Sequence, residues 1–112
     1  MPIITIKMFG TMNKLDIQGV AENICATLGI DRTRINVMAE YFAENDYIKG
    51  SNDNDPIIHI SVRKNNGKEW IQALMRAAAS AVKKQVPIGE ERIAVYTHLI
   101  EDGNIILNGK FI

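Results

Sequence analysis

Pro2 is the position in this sequence with the most chemical potential. A proline behind an initiator methionine normally permits removal of that methionine. Its nitrogen then becomes a free secondary amine, a base or nucleophile rather than an amide. A free α-amine has an ordinary pKa of about 7.7–8.0. Enclosure in an apolar pocket disfavours the charged form and lowers that value, and neighbouring positive charge pushes the same way. The product is a base poised near neutral pH. Ile4, Ile6 and Met8 share a strand face with Pro2 and would supply the dry wall. The plainer alternative is that Pro2 only opens a strand, a place where proline is tolerated.

Other chemistry is sparse. There is no phosphate loop, no cysteine pair and no His-rich metal spacing. His59 and His98 lie far apart in the chain and lack carboxylates at ligand spacing, so no metal is expected at either. Cys25 is alone, which excludes a disulfide scaffold, and it falls on an apolar helical stripe where a core thiol is expected. No cofactor is implied.

The 112 residues carry thirteen basic and thirteen acidic side chains, a net charge of zero. That balance argues against non-specific nucleic-acid binding. No stretch approaches the roughly 20 apolar residues of a membrane span. The first residues lack the basic segment and apolar core of a signal peptide, so the expected home is the reducing cytoplasm.

The elements that must position Pro2 come in two echoing halves, 2–44 and 56–100, within one expected domain spanning 1–112. Pro2-Ile3-Ile4-Thr5-Ile6 returns as Pro56-Ile57-Ile58-His59-Ile60, an offset of 54 residues. Each segment reads as a strand opened by proline. After the first, Ile17, Val20, Ile24 and Leu28 draw one apolar helical stripe, with Asn13 as the expected N-cap and Gly29 as the stop. After the second, Ile71, Leu74, Ala78, Ala81, Val82 and Gln85 trace another helix, capped by Asn65 or Asn66 and ended by Pro87. A further strand follows each helix: 35–44 by alternation, and 92–99 as a β-branched run. Two βαβ units result, each with parallel strands. The expected architecture is α+β, a four-stranded mixed sheet with both helices on one face. The join 45–55 is polar and turn-rich, a surface loop.

Asp102-Gly103 and Asn108-Gly109 signal hairpin turns, and Ile105, Ile106, Leu107, Phe111 and Ile112 surround them. That much apolar surface should pack on its own sheet or on a neighbouring subunit's edge. Residues 1–56 carry a net −3 and residues 57–112 a net +3, an asymmetry that could help subunits meet. An oligomer is expected.

A terminal proline opening the first strand, with two consecutive βαβ units in about 110 residues, resembles the tautomerase superfamily of 4-oxalocrotonate tautomerase and macrophage migration inhibitory factor. Leu28-Gly29-Ile30 before the second strand and Arg92-Ile93-Ala94-Val95 opening the last add to it. Glu40-Tyr41-Phe42-Ala43-Glu44 and Leu107-Asn108-Gly109-Lys110-Phe111 look more like a small bacterial branch of tautomerase-like proteins. The resemblance implies a homotrimer with a pocket at each subunit boundary and the terminal proline at its base. It further implies cofactor-free keto–enol tautomerisation of a small 2-oxo acid, with Pro2 as general base. The positions of the family's substrate-binding cations hold Met12, Ile30 and Asn36 here. Arg34 and Arg63 are the nearby substitutes, with Lys64 and Lys7 weaker ones. Tyr96 falls near a position where relatives place a pocket Asn or Tyr. Two other readings stand beside this one. The order βαββαβ also fits a ferredoxin-like ligand-binding module, with antiparallel strands in the order 4-1-3-2. A tautomerase-like fold could also serve assembly without an active site.

Overall fold

A computed structural model describes residues 1–10, 14–50 and 53–112. Among the described residues six strands and two α-helices run in the order β1 (Ile3–Phe9), α1 (Ile17–Leu28), β2 (Asn36–Phe42), β3 (Ile57–Arg63), α2 (Lys68–Lys83), β4 (Ala94–Ile100), β5 (Ile106–Leu107) and β6 (Lys110–Phe111). The main sheet has the order β2-β1-β3-β4. β1 is parallel to β2, β3 is parallel to β4, and the central pair β1–β3 is antiparallel. This is the mixed sheet expected from two βαβ units. The 4-1-3-2 antiparallel order of a ferredoxin-like module does not form, because each helix returns the chain beside and parallel to the strand it left.

The sequence echo has a geometric counterpart. Thr5 pairs with His59, and these are also equivalent residues at the offset of 54. A local two-fold axis therefore passes between them and exchanges the two halves. β2 and β4 obey it too: Met38 pairs with Thr5 as Tyr96 pairs with His59.

One sheet face carries the core. Ile4, Ile6 and Met8 of β1 and Ile58, Ile60 and Val62 of β3 are almost fully buried under both helices. α1 contributes Val20, Ala21, Ile24 and Cys25; α2 contributes Ile71, Leu74, Ala77, Ala78, Ala81 and Val82. Small alanines let α2 lie close to the strands. The opposite face, with Ile3, Met38, His59, Tyr96 and His98, is largely exposed.

Local details differ from expectation in physically simple ways. Asn13 lies outside the described residues; Asp16 caps α1, its carboxylate accepting from Gly19 N at 3.1 Å. Gly29 ends α1 with φ of 65°, a left-handed turn that glycine adopts without strain. Neither Asn65 nor Asn66 caps α2. They form a 3-10 turn, and Gly67 takes the N-cap position with no side-chain cap. α2 stops at Lys83, before Pro87, so Gln85 leaves the helix. Its amide instead reaches Asp16, 69 residues away. β2 ends at Phe42 rather than running to residue 44, and β4 starts at Ala94 because Glu90–Arg92 coil into a 3-10 turn. The 45–55 join is more than solvated loop: Tyr47 packs edge-on against Phe9 with centroids 4.8 Å apart, and Lys49 Nζ sits 4.9 Å over that ring.

The C-terminal hairpin forms where Asn108-Gly109 predicts it. Both residues have positive φ, 53° and 76°, the signature of a tight two-residue hairpin turn. It forms a sheet of its own, not hydrogen-bonded to the main one. Phe111 is 72% exposed and Ile106 63%.

Candidate active site

Pro2 precedes the first pairing residue of β1 and is buried. Its carbonyl accepts from Asn36 N at 2.9 Å, which extends the β1–β2 ladder by one rung. A cavity of about 150 Å³ opens beside it, lined by Met1, Pro2, Ile30, Arg34, Arg63, Asn65, Asn66 and Trp70. The topology explains this gathering. Parallel pairing puts the starts of β1 and β2 side by side, and antiparallel pairing brings the end of β3 to the same place. The start of α2 follows directly from β3.

Arg34 ends a 3-10 turn, Arg32–Arg34, that leads into β2. Asp31 holds this turn together: its carboxylate accepts from Thr33 N at 2.9 Å and from Thr33 Oγ1 at 2.8 Å. Those two bonds hold the Asp31 carboxyl below the usual carboxylate range. The Arg34 guanidinium has no ion-pair or hydrogen-bond partner among the described residues. Arg63 ends β3. Its Nη2 donates to Asp102 Oδ1 at 3.0 Å, while its Nε is buried and has no partner among the described residues. A buried donor without an acceptor is costly, and Arg63 is also one of the residues that line the cavity. Trp70, in the first turn of α2, closes the same wall.

The structure thus brings Pro2, Arg34 and Arg63 together. Asn36 contributes its backbone N–H to Pro2, but its side chain belongs to the exposed sheet face and is outside the cavity lining. Tyr96 stands on β4, two strands from Pro2; it is 58% exposed and its ring stacks on His59 at 5.6 Å. Lys64 and Lys7 do not line the cavity either. Trp70, Asn65 and Asn66 were not foreseen as lining residues. The signal for Trp70 was its place as the lone tryptophan in the first turn of α2, next to the strand end that carries Arg63. Cys25 is buried in the core, as expected, and burial pushes its thiol pKa up. Among the described residues no cluster of three metal-ligating side chains occurs, and no helix is long and apolar enough to cross a membrane.

The local two-fold axis supplies an internal comparison. It relates Pro2 to Pro56, Met1 to Asp55 and Arg34 to Arg92, the last residue of the other 3-10 turn. In the second half Arg92 grips the Asp55 carboxylate with two bonds, Nη2–Oδ1 at 2.8 Å and Nε–Oδ2 at 3.1 Å. The same scaffold therefore holds a carboxylate beside one proline and, beside the other, a guanidinium without a partner among the described residues.

This chain has the tautomerase fold. It superposes on native fused 4-OT with a TM-score of 0.80 at 11% identity, covering 97% of this chain and 94% of that one. On macrophage migration inhibitory factor from Toxoplasma gondii the TM-score is 0.66 at 11% identity, covering 98% and 99%. On N1, a member of the cis-3-chloroacrylic acid dehalogenase family, it is 0.74 at 14% identity, covering 98% and 82%. No family model matches the sequence, and no curated protein matches it. At these identities the likeness is one of fold.

Proposed function

We propose that this protein is a cofactor-free keto–enol tautomerase of a small 2-oxo acid, with Pro2 as general base once Met1 is removed. The observation that carries this reading is the burial of Pro2 at a cavity lined by two arginines, one with a buried N–H that has no partner among the described residues. Removal of Met1 frees the Pro2 nitrogen and clears the part of the cavity that Met1 lines. Burial and the two nearby cations disfavour an ammonium there, so the amine stands ready to accept a proton.

Arg34 takes the substrate carboxylate in the way Arg92 takes Asp55. Arg63 Nε–H faces the 2-oxo oxygen. Pro2 removes a proton from the carbon beside the carbonyl, and the electron pair moves onto that oxygen. The enolate charge develops against a fixed donor, where electrostatic stabilisation counts most. Protonation of the oxygen by solvent gives the enol, and Pro2 returns its proton to solvent. Nothing is oxidised or reduced.

The working unit in this proposal is a homotrimer, the form in which fused 4-OT structures are described. Exposed Ile106 and Phe111, with the apolar residues of the open sheet face, are the surface that subunit contact would cover. Asn36 and Tyr96 face that open side, so any contact of theirs with substrate requires a neighbouring subunit. We place the protein in the cytoplasm.

The test is phenylpyruvate tautomerisation by a sample whose loss of Met1 is verified by intact mass. A rate well above buffer that collapses in Pro2→Ala supports the proposal. No rate from a processed, trimeric sample overturns it and leaves a binding or assembly role.

A further inference from the structure

We propose that Asp102 is a positioning residue for Arg63, holding its guanidinium at the wall of the Pro2 cavity, where its Nε–H is unpaired among the described residues; this rests on reading the Pro2 cavity as the reaction site. The ends of β3 and β4 are adjacent because the strands are parallel, with Arg63 registered against Ile100. Asp102 therefore emerges beside Arg63 as β4 finishes. One carboxylate oxygen, Oδ1, accepts from two residues that line the cavity: Arg63 Nη2 at 3.0 Å and Asn65 Nδ2 at 3.3 Å.

A guanidinium is a rigid plane, so a bond at Nη2 restrains where its Nε–H points. Arg63 is further restrained by its own backbone, since Asn66 Nδ2 donates to its carbonyl at 3.0 Å. Asp102 is itself held by the turn that opens the C-terminal hairpin, where Gly103 N donates to Ile112 O at 2.9 Å. The pair is too exposed to matter much for stability: the Asp102 side chain is 71% accessible and that of Arg63 29%. Its consequence is orientation. The opposite end of the same strand pair shows the contrast, because the Arg92–Asp55 bridge engages Nε as well as Nη2.

The experiment compares wild type, Asp102→Ala and Asp102→Asn, all without Met1, by two readouts. The first is solvent exchange of the Arg63 Nε–H in proton–nitrogen NMR of the free protein. The second is kcat and KM with phenylpyruvate. Asp102→Ala is expected to speed the exchange and to lower kcat about three- to tenfold with KM little changed. Asp102→Asn keeps an acceptor oxygen and is expected to restore most of both. Unchanged Nε–H exchange in Asp102→Ala overturns the proposal, as does an equal loss of Tm in both variants with Arg63 unaffected. If wild type turns over nothing yet Asp102→Ala still frees the Arg63 Nε–H, the positioning role stands and the tautomerase reading falls.

Discussion

The N–H of Asn36 donates to the carbonyl of Pro2 at 2.9 Å, so the proline is anchored through its backbone and not its ring. Substituting Pro2 with alanine keeps that carbonyl. The Pro2→Ala variant is therefore expected to retain its circular dichroism spectrum and oligomeric state while losing tautomerase rate by about two orders of magnitude or more. An activity loss accompanied by dissociation or unfolding would assign Pro2 a structural role instead.

Arg34 and Arg92 occupy equivalent places but are expected to respond differently to alanine. Arg92→Ala strands the mostly buried Asp55 carboxylate and should cost about 1–3 kcal/mol in urea unfolding. Arg34→Ala breaks no side-chain bond among the described residues and should leave stability within about 0.5 kcal/mol of wild type, raising KM for 2-oxo acids instead. A large stability loss on removing Arg34 would count against its being free for substrate.

Asp31 gives an acid limb to stability. Its carboxyl pKa is lowered by the two Thr33 bonds, so the folded chain holds that proton more weakly than the unfolded chain. The contribution is present above the ordinary carboxylate pKa and is lost as pH falls through the lowered folded value. Asp31→Asn removes the titrating carboxyl and should flatten the pH dependence of Tm below about pH 4, while Thr33→Ala, which keeps the larger backbone bond, should flatten it only in part. Because this turn carries Arg34, KM should rise in the same variant. An unaltered acid limb would refute the assignment.

Cys25 titrates in the other direction. Burial raises its thiol pKa, so the native chain keeps the proton more tightly than the unfolded one. The stabilisation is present below the ordinary thiol value of about 8.5 and is lost as pH rises through the folded value. At pH 8 an aromatic disulfide reagent is expected to label native protein far more slowly than urea-unfolded protein. Equal rates would show that α1 opens readily.

Gln85 joins the two halves at their helices. Its Oε1 accepts from Asp16 N at 2.7 Å and its Nε2 donates to Asp16 O at 3.0 Å, as a neighbouring strand would. Gln85→Ala should cost about 1 kcal/mol, and Asp16→Ala a similar amount through loss of the Gly19 cap. Hydrogen exchange should speed first in the opening turn of α1.

Much of the fold is legible along the chain. The Ile–x–Ile alternation of β1 and β3 and the 3–4 spacing of Val20, Ile24, Leu74 and Ala78 are local periodicities, and they determine which face each element buries. Right-handed crossovers then dictate that β1–β2 and β3–β4 are parallel. The echo of Pro2 in Pro56 anticipates two related halves. Element ends were less legible, because capping depends on which backbone groups a fold leaves unpaired. Gly67 rather than an asparagine starts α2, and Gln85 leaves the helix to bind a peptide group far away in sequence. The candidate site divides the same way. Pro2, Arg34 and Arg63 are conspicuous as residue types, yet only the antiparallel pairing of β1 with β3 brings the end of β3 to Pro2. The β1–β2 and β3–β4 registers put Asn36 and Tyr96 on the opposite sheet face, and Trp70 reaches the cavity because α2 follows directly from β3. Periodicity decides which way a side chain faces within its own element. Which distant side chains share a cavity is decided by strand order and register, and these arise from long-range pairing that no local pattern encodes.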